Sequence, residues 1–159
     1  MIQYSDLNKE FITDRFPELK EQVEEEIEYL NEFLPHVIFG NVFNPLTVTL
    51  LKQDDYSNNI ILNRIFNMHE ELSSNGDFET QNLVQVTLLE YLWDEKTTYN
   101  RALELLGEHT KKLWNCIENY LSVPWVLYVS IEFQFIYEII IKSGEEIKSS
   151  PDLLFIILK

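Results

Sequence analysis

The sequence predicts a mostly α-helical protein, made of helical hairpins in a bundle or a short HEAT-like stack, with a possible C-terminal β-hairpin. Three observations predict it. Apolar residues recur at helical spacing up to Leu121, short glycine-bearing joints at Asn75-Gly76-Asp77 and Gly107 separate the helical stretches, and beyond Pro124 the pattern changes to period-two alternation. The expected division is an acidic helical domain over 1–123 and an apolar C-terminal extension over 124–159, packed on the same core.

Taken in order, Ser5 or Asp6 is placed to cap a first short helix that ends before Pro17, because the residue preceding a proline avoids the α region. Glu18 to Phe33 is the next helix, with Val23, Ile27, Leu30 and Leu34 on one face and Glu21, Glu24, Glu25, Glu28 and Glu32 on the other. The Pro- and Gly-punctuated run from Pro35 to Leu46 is expected to be a buried turn leading into a short helix through Leu51. Ile61, Ile65, Met68 and Leu72 mark an amphipathic helix, flanked by Leu62 and Phe66.

At the next joint Gly76 is expected to supply a left-handed residue that ends one helix and Asp77 to N-cap the following one. So short a connection implies an antiparallel partner, running from about Phe78 to Trp93. The device recurs at Gly107, between a helix around Arg101 to Leu106 and one from about Thr110 to Leu121, whose stripe is Leu113, Ile117, Tyr120 and Leu121. After Pro124, Val129 to Phe135 alternates as a half-buried strand and Leu153 to Leu158 is a second β-like run, with a helix through Ile136 to Lys142 as the competing reading.

Charge bounds the function. Twelve basic residues against 27 acidic ones leave a net charge of −15 over 159 residues. Such a chain repels phosphate backbones and anionic membrane surfaces, which argues against both as partners. The acidity serves solubility, or it attracts a basic protein partner; net charge alone supports either. Cys116 is the only cysteine, so no intramolecular disulfide can form. The opening MIQYSDLNKEF shows no signal-peptide pattern, and the apolar tract from Trp125 to Ile141 is interrupted by Glu132, Gln134 and Glu138. A cytoplasmic protein is the expectation.

The chemistry-bearing residues fail as a catalytic set. His36, His69 and His109 are the candidate imidazole ligands, but they lie on different predicted elements and none has a ligand-spaced partner. Cys116 is expected to be a core thiol beside an apolar stripe, with Glu118 opposing a thiolate. The adjacent carboxylates Glu70-Glu71 and Glu145-Glu146 diverge by about 100° on a helix and read as solvated faces. Gly40, Gly76, Gly107 and Gly144 stand apart, so no glycine-rich phosphate loop exists. Trp93, Trp114 and Trp125 are candidate partner anchors, with core packing the default. No cofactor is implied.

One combination of segments carries a family resemblance: Leu34-Pro35-His36-Val37-Ile38-Phe39-Gly40-Asn41-Val42, Ile65-Phe66-Asn67-Met68-His69-Glu70-Glu71 before Asn75-Gly76-Asp77, Leu88-Leu89-Glu90-Tyr91-Leu92, and Leu106-Gly107-Glu108-His109-Thr110. It resembles a family of small acidic helical bacterial proteins of unassigned function, grouped with candidate immunity proteins of polymorphic toxin systems. The likeness covers roughly Phe16 to Leu121, and the tail from Pro124 departs from it. It supplies no catalytic residues. What it implies, with the absence of catalytic chemistry and the charge, is a non-enzymatic binding protein that neutralises a cognate toxin; the carboxylate run itself makes Glu21, Glu24, Glu25, Glu28 and Glu32 the expected partner-binding residues. A helical scaffold or adaptor is the alternative, and a metal-dependent enzyme using the three histidines and nearby carboxylates is a further one.

Overall fold

The computed structural model describes residues 1–122, with side-chain surroundings for 1–119. The predicted C-terminal strands and the seam at Pro124 lie outside these residues. Residues Met1–Asn119 form a compact unit, and it is all-α among the described residues.

The N-terminal segment is tied down by backbone pairing. Ile2 makes an isolated parallel bridge with Gly76, its N–H donating to Asn75 O at 2.7 Å and its carbonyl accepting from Asp77 N at 2.9 Å. A 3₁₀ turn follows at Tyr4–Asp6. Helix α1 is Lys9–Arg15, and its cap is Asn8, whose side chain accepts from Phe11 N at 2.9 Å. The expected cap at Ser5 or Asp6 is thus displaced, because the Asp6 carboxylate is used locally, on the N–H of Gln3. As expected, the helix stops ahead of Pro17: Phe16 takes φ −133°, ψ 70°, outside the α region.

A 3₁₀ turn at Pro17–Leu19 leads into α2, Lys20–Leu30. The helix is shorter than the sequence suggests because Asn31 adopts a left-handed conformation, φ 59° and ψ 10°, which a short amide side chain tolerates. Glu32 therefore lies just past the helix end.

The largest departure is α3, a 17-residue helix over Pro35–Leu51 where a turn and a short helix were expected. Its residues Ile38, Phe39, Val42, Phe43 and Leu51 are wholly buried, and a helix apolar nearly all round has no clear polar face to betray its period. Pro35 sits at the first position, where its missing N–H costs nothing. Pro45 lies inside the helix, and both it and Asn41, whose carbonyl loses its partner, are on the exposed side. Water can satisfy that carbonyl.

Another 3₁₀ turn, Tyr56–Asn58, precedes α4, Ile60–Asn75, capped by Asn59 accepting from Leu62 N at 3.0 Å. Asp77 caps the following helix as expected, accepting from Thr80 N at 2.9 Å, and its other oxygen accepts from Tyr4 N at 3.0 Å. Gly76, however, is extended (φ −72°, ψ 153°), not left-handed. What demands glycine there is space: a Cβ would lie 2.3 Å from the Leu72 carbonyl oxygen and 2.6 Å from Thr80 Cγ2.

The expected helix from Phe78 to Trp93 exists as three continuous segments, α5 (Phe78–Leu83), a π-helical segment (Val84–Leu89) and α6 (Glu90–Asp94). The widened turn faces α3: Asn44 Nδ2 donates to the Thr87 carbonyl at 3.0 Å, His36 Nδ1 and Thr87 Oγ1 share a hydrogen bond at 2.6 Å, and a Cβ on Gly40 would lie 3.3 Å from Thr87 Cγ2. Residues 36, 40 and 44 are spaced four apart, one edge of α3. Much of the resembling Pro-His-x-x-Phe-Gly motif is thereby accounted for as packing. Helices α7 (Tyr99–Leu105) and α8 (Glu108–Ser122) complete the described chain.

Two aromatic chains tie the helices together. Phe11, Phe39, Phe43 and Phe16 link α1 to α3 with centroid separations of 6.2, 5.5 and 5.1 Å. Trp93, Tyr99 and Trp114 link α6, α7 and α8 at 6.4 and 5.2 Å. Trp114 is completely buried, so it is a core residue and not a partner anchor. Cys116 departs from expectation the other way: it is exposed, because the buried side of α8 runs through Thr110, Trp114 and Ile117.

Candidate functional site

Helix α2 has one inward face, with Val23 buried and Ile27 and Leu30 half-buried. Its opposite side carries Glu21, Glu25 and Glu28 at i, i+4 and i+7, with Glu24 beside them and Glu32 just past the helix end. All five side chains are exposed, as the sequence led us to expect. Glu24 pairs with Lys9 at 2.7 Å, and that bond holds its carboxyl below the usual range. Glu26, on the flank, accepts from Asn41 Nδ2 at 2.8 Å and fastens α2 to α3.

This helix violates local electrostatics. Like charges at i, i+4 destabilise a helix by about 0.2–0.5 kcal/mol per pair. Glu21–Glu25 and Glu24–Glu28 are such spacings within α2, only Glu24 having a cation, Lys9, against it among the described residues, and the last turn has no basic residue to meet the negative end of the helix dipole. Among the carboxylates stands Tyr29, 83% exposed. Aromatic area of this kind is more typical of interfaces than of solvated helices.

The three histidines do not converge. His36 is bonded to Thr87. His69 is buried against the Phe66 ring, 5.6 Å between centroids, with neither ring nitrogen bonded, and burial depresses its pKa from 6.5 to about 3. His109 Nδ1 donates to Glu70 Oε1 at 2.8 Å. Among the described residues no three His, Cys, Asp or Glu side chains gather as a metal would require.

Glu70 corrects an expectation. It is not a solvated carboxylate but the cap of another helix: its oxygens accept from His109 N (2.9 Å), Thr110 N (3.0 Å) and Thr110 Oγ1 (2.9 Å), as well as from the imidazole. Gly107 has no side chain with which to cap α8, and a Cβ there would lie 2.3 Å from Glu70 Oε2. The available signal was the bare glycine at the start of α8, which left orphan N–H groups for a remote acceptor. Glu71 points elsewhere, to Arg15 at 3.6 Å.

A shallow groove of about 210 Å³ is lined by Arg15, Phe16, Arg64, Asn67, Met68 and Glu71. Its cations are already engaged. Arg64 donates to Glu18 at 2.7 Å and to the Arg15 carbonyl, and it lies 4.8 Å over the Phe16 ring. Arg15 pairs with Glu71 and lies 3.8 Å over Phe11. These guanidiniums clamp α1 to α4 and leave no uncompensated charge for a ligand.

Comparison with protein families matches residues 9–122 to the Domain of unknown function (DUF7674). The chain belongs to this family. Its span takes in α1 through α8, so the acidic helix, the π segment and the Glu70 cap all lie within DUF7674. No curated protein matches the chain, and no solved structure does. Among the described residues no helix is long and apolar enough to cross a membrane.

Proposed function

We propose that this DUF7674 protein is a non-enzymatic binding protein whose α2 face docks a basic protein partner, and that it serves in the cytoplasm as an immunity protein neutralising a cognate bacterial toxin. One observation carries the reading: α2 presents Glu21, Glu24, Glu25 and Glu28 to solvent around an exposed Tyr29, with Glu32 just past its end, against its own helical electrostatics. Apart from Glu24, which is paired with Lys9, these carboxylates cost local stability without a partner among the described residues, and such a surface is the kind retained for binding. The family resemblance supports the finer assignment. Toxins that attack nucleic acid have cationic clefts, and a carboxylate face steers association with such a cleft and covers it.

The experiment is co-expression with the toxin encoded by the adjacent gene. Protection of the cells, co-purification, and loss of both on Glu25→Lys/Glu28→Lys substitution are the expected results. Absence of protection by the wild-type protein overturns the immunity assignment. Binding to an endogenous protein without protection moves the reading to the adaptor class.

A further inference from the structure

Helix α8 starts without a cap of its own, since Gly107 has no side chain, and the N–H groups of His109 and Thr110 are held by Glu70 from α4 at 2.9 and 3.0 Å. The same carboxylate accepts from Thr110 Oγ1 at 2.9 Å and from His109 Nδ1 at 2.8 Å. An ionised carboxylate accepts on both oxygens from all of these donors, whereas a protonated one must itself donate, turning the Thr110 hydroxyl to the Gly107 carbonyl 3.2 Å away. A proton on Glu70 removes acceptor sites and also the negative charge that faces the positive end of α8.

We propose that the α4–α8 junction is an acid-released latch, in which protonation of Glu70 uncaps α8 and frees it from α4 while the α1–α3 body stays closed. This is independent of what α2 binds.

The groups around Glu70 favour such a response. From α8, His109 bonds it and Glu108 repels it, though Glu108 is itself paired with Lys112 at 3.0 Å. On α4, Glu71 is turned to Arg15 and His69 is buried without a partner. The other elements near α4 offer nothing to replace the bond: His36 of α3 is held by Thr87, Glu79 of α5 acts on Tyr4, and on α7 Glu104 bonds Tyr56 while Arg101 donates to the Leu51 and Gln53 carbonyls. Phe11, Phe39, Phe43 and Phe16 join α1 to α3 and Tyr99 with Trp114 joins α7 to α8, contacts that no proton affects, so what a proton opens is the start of α8 against α4.

Partial burial pushes the Glu70 carboxyl up, but the bonds from Thr110 and His109 outweigh it and hold it at about 2, below its ordinary 4.5. A group that returns to 4.5 on opening increases the open population about tenfold between pH 6 and pH 3.5.

The test is amide hydrogen exchange, expressed as protection factors, in a His69→Leu background that keeps the body folded in acid (His69→Met serves if Leu does not fold). Lys111 N, bonded to Gly107 O at 3.0 Å, reports the latch, and Ile38 N, bonded to Leu34 O at 2.9 Å, reports the body. Protection at Lys111 should lie below that at Ile38 throughout, as a separate opening of α8 requires, and should fall about tenfold from pH 6 to 3.5. Adding Glu70→Gln should lower Lys111 protection at pH 6 and abolish its pH response. Equal protection at both amides, an unchanged Lys111, or a pH response that survives Glu70→Gln overturns the latch.

Discussion

Replacing His69 by leucine should raise the stability of the protein and remove most of its sensitivity to mild acid. The imidazole is 1% exposed, and neither nitrogen has a partner. With burial depressing its pKa from 6.5 to about 3, the unfolded chain takes up a proton below pH 6.5 that the folded chain refuses. Stability is therefore complete above pH 6.5 and falls as pH drops towards 3. At about 1.4 kcal/mol per unit, this one residue removes roughly 2 kcal/mol between pH 7 and pH 5, and on the order of 4–5 kcal/mol by pH 3. Against a total stability of about 5–15 kcal/mol for a domain, that is a large share. At neutral pH the substitution also removes two unsatisfied ring nitrogens, a gain of about 1–3 kcal/mol, against which imperfect packing of leucine costs under about 1.5 kcal/mol. Urea unfolding followed by circular dichroism at pH 7.5, 6, 5 and 4.5 measures this. The difference in stability between variant and wild type should widen as pH falls, by roughly 2 kcal/mol between pH 7 and 5. A constant difference across that range refutes the buried neutral imidazole.

Four further outcomes follow from the same contacts. Glu70→Ala should destabilise the fold by about 1–2 kcal/mol in a urea titration, since it removes the cap from part-buried donors at the start of α8. Gly107→Ala forces a Cβ into Glu70 and should cost about 1–3 kcal/mol, less in a Glu70→Ala background, so a double-mutant cycle should show coupling. Gly76→Ala should be worse tolerated, because its Cβ meets the Leu72 carbonyl, which cannot move aside; a thermal melt should drop by several degrees. Cys116, being exposed, should react with a thiol reagent in the native protein about as fast as in the denatured one, whereas a core thiol would be protected.

The helical class and the exposed acidic face were legible because both are local. Val23, Ile27 and Leu30 repeat with helical period, and the carboxylates of α2 fall on the opposite side. Helix α3 was hidden for the same reason that makes it central: Ile38, Phe39, Val42 and Phe43 are buried on several sides, so periodicity vanishes, while Gly40 and Pro45 mimic punctuation. Gly76 was rightly placed at a joint, but crowding by Thr80 and Leu72, a tertiary fact, is what requires it. Nor could one sequence show that Glu70 reaches Thr110, forty residues away, or that His69 faces the core. The π segment at Val84–Leu89 left no local mark, because its stabilising bonds come from Asn44 and His36 on another helix.

The exposed carboxylates of α2 are proposed as a binding surface, and the most direct measurement is the affinity of the wild-type protein and of Glu21→Gln/Glu25→Gln/Glu28→Gln for the protein encoded by the adjacent gene. These side chains are solvent-exposed, so the triple substitution should leave thermal stability unchanged or slightly raised. The account predicts a weakening of binding by at least about tenfold, with a reduced dependence on salt. Undiminished affinity in the triple variant contradicts it.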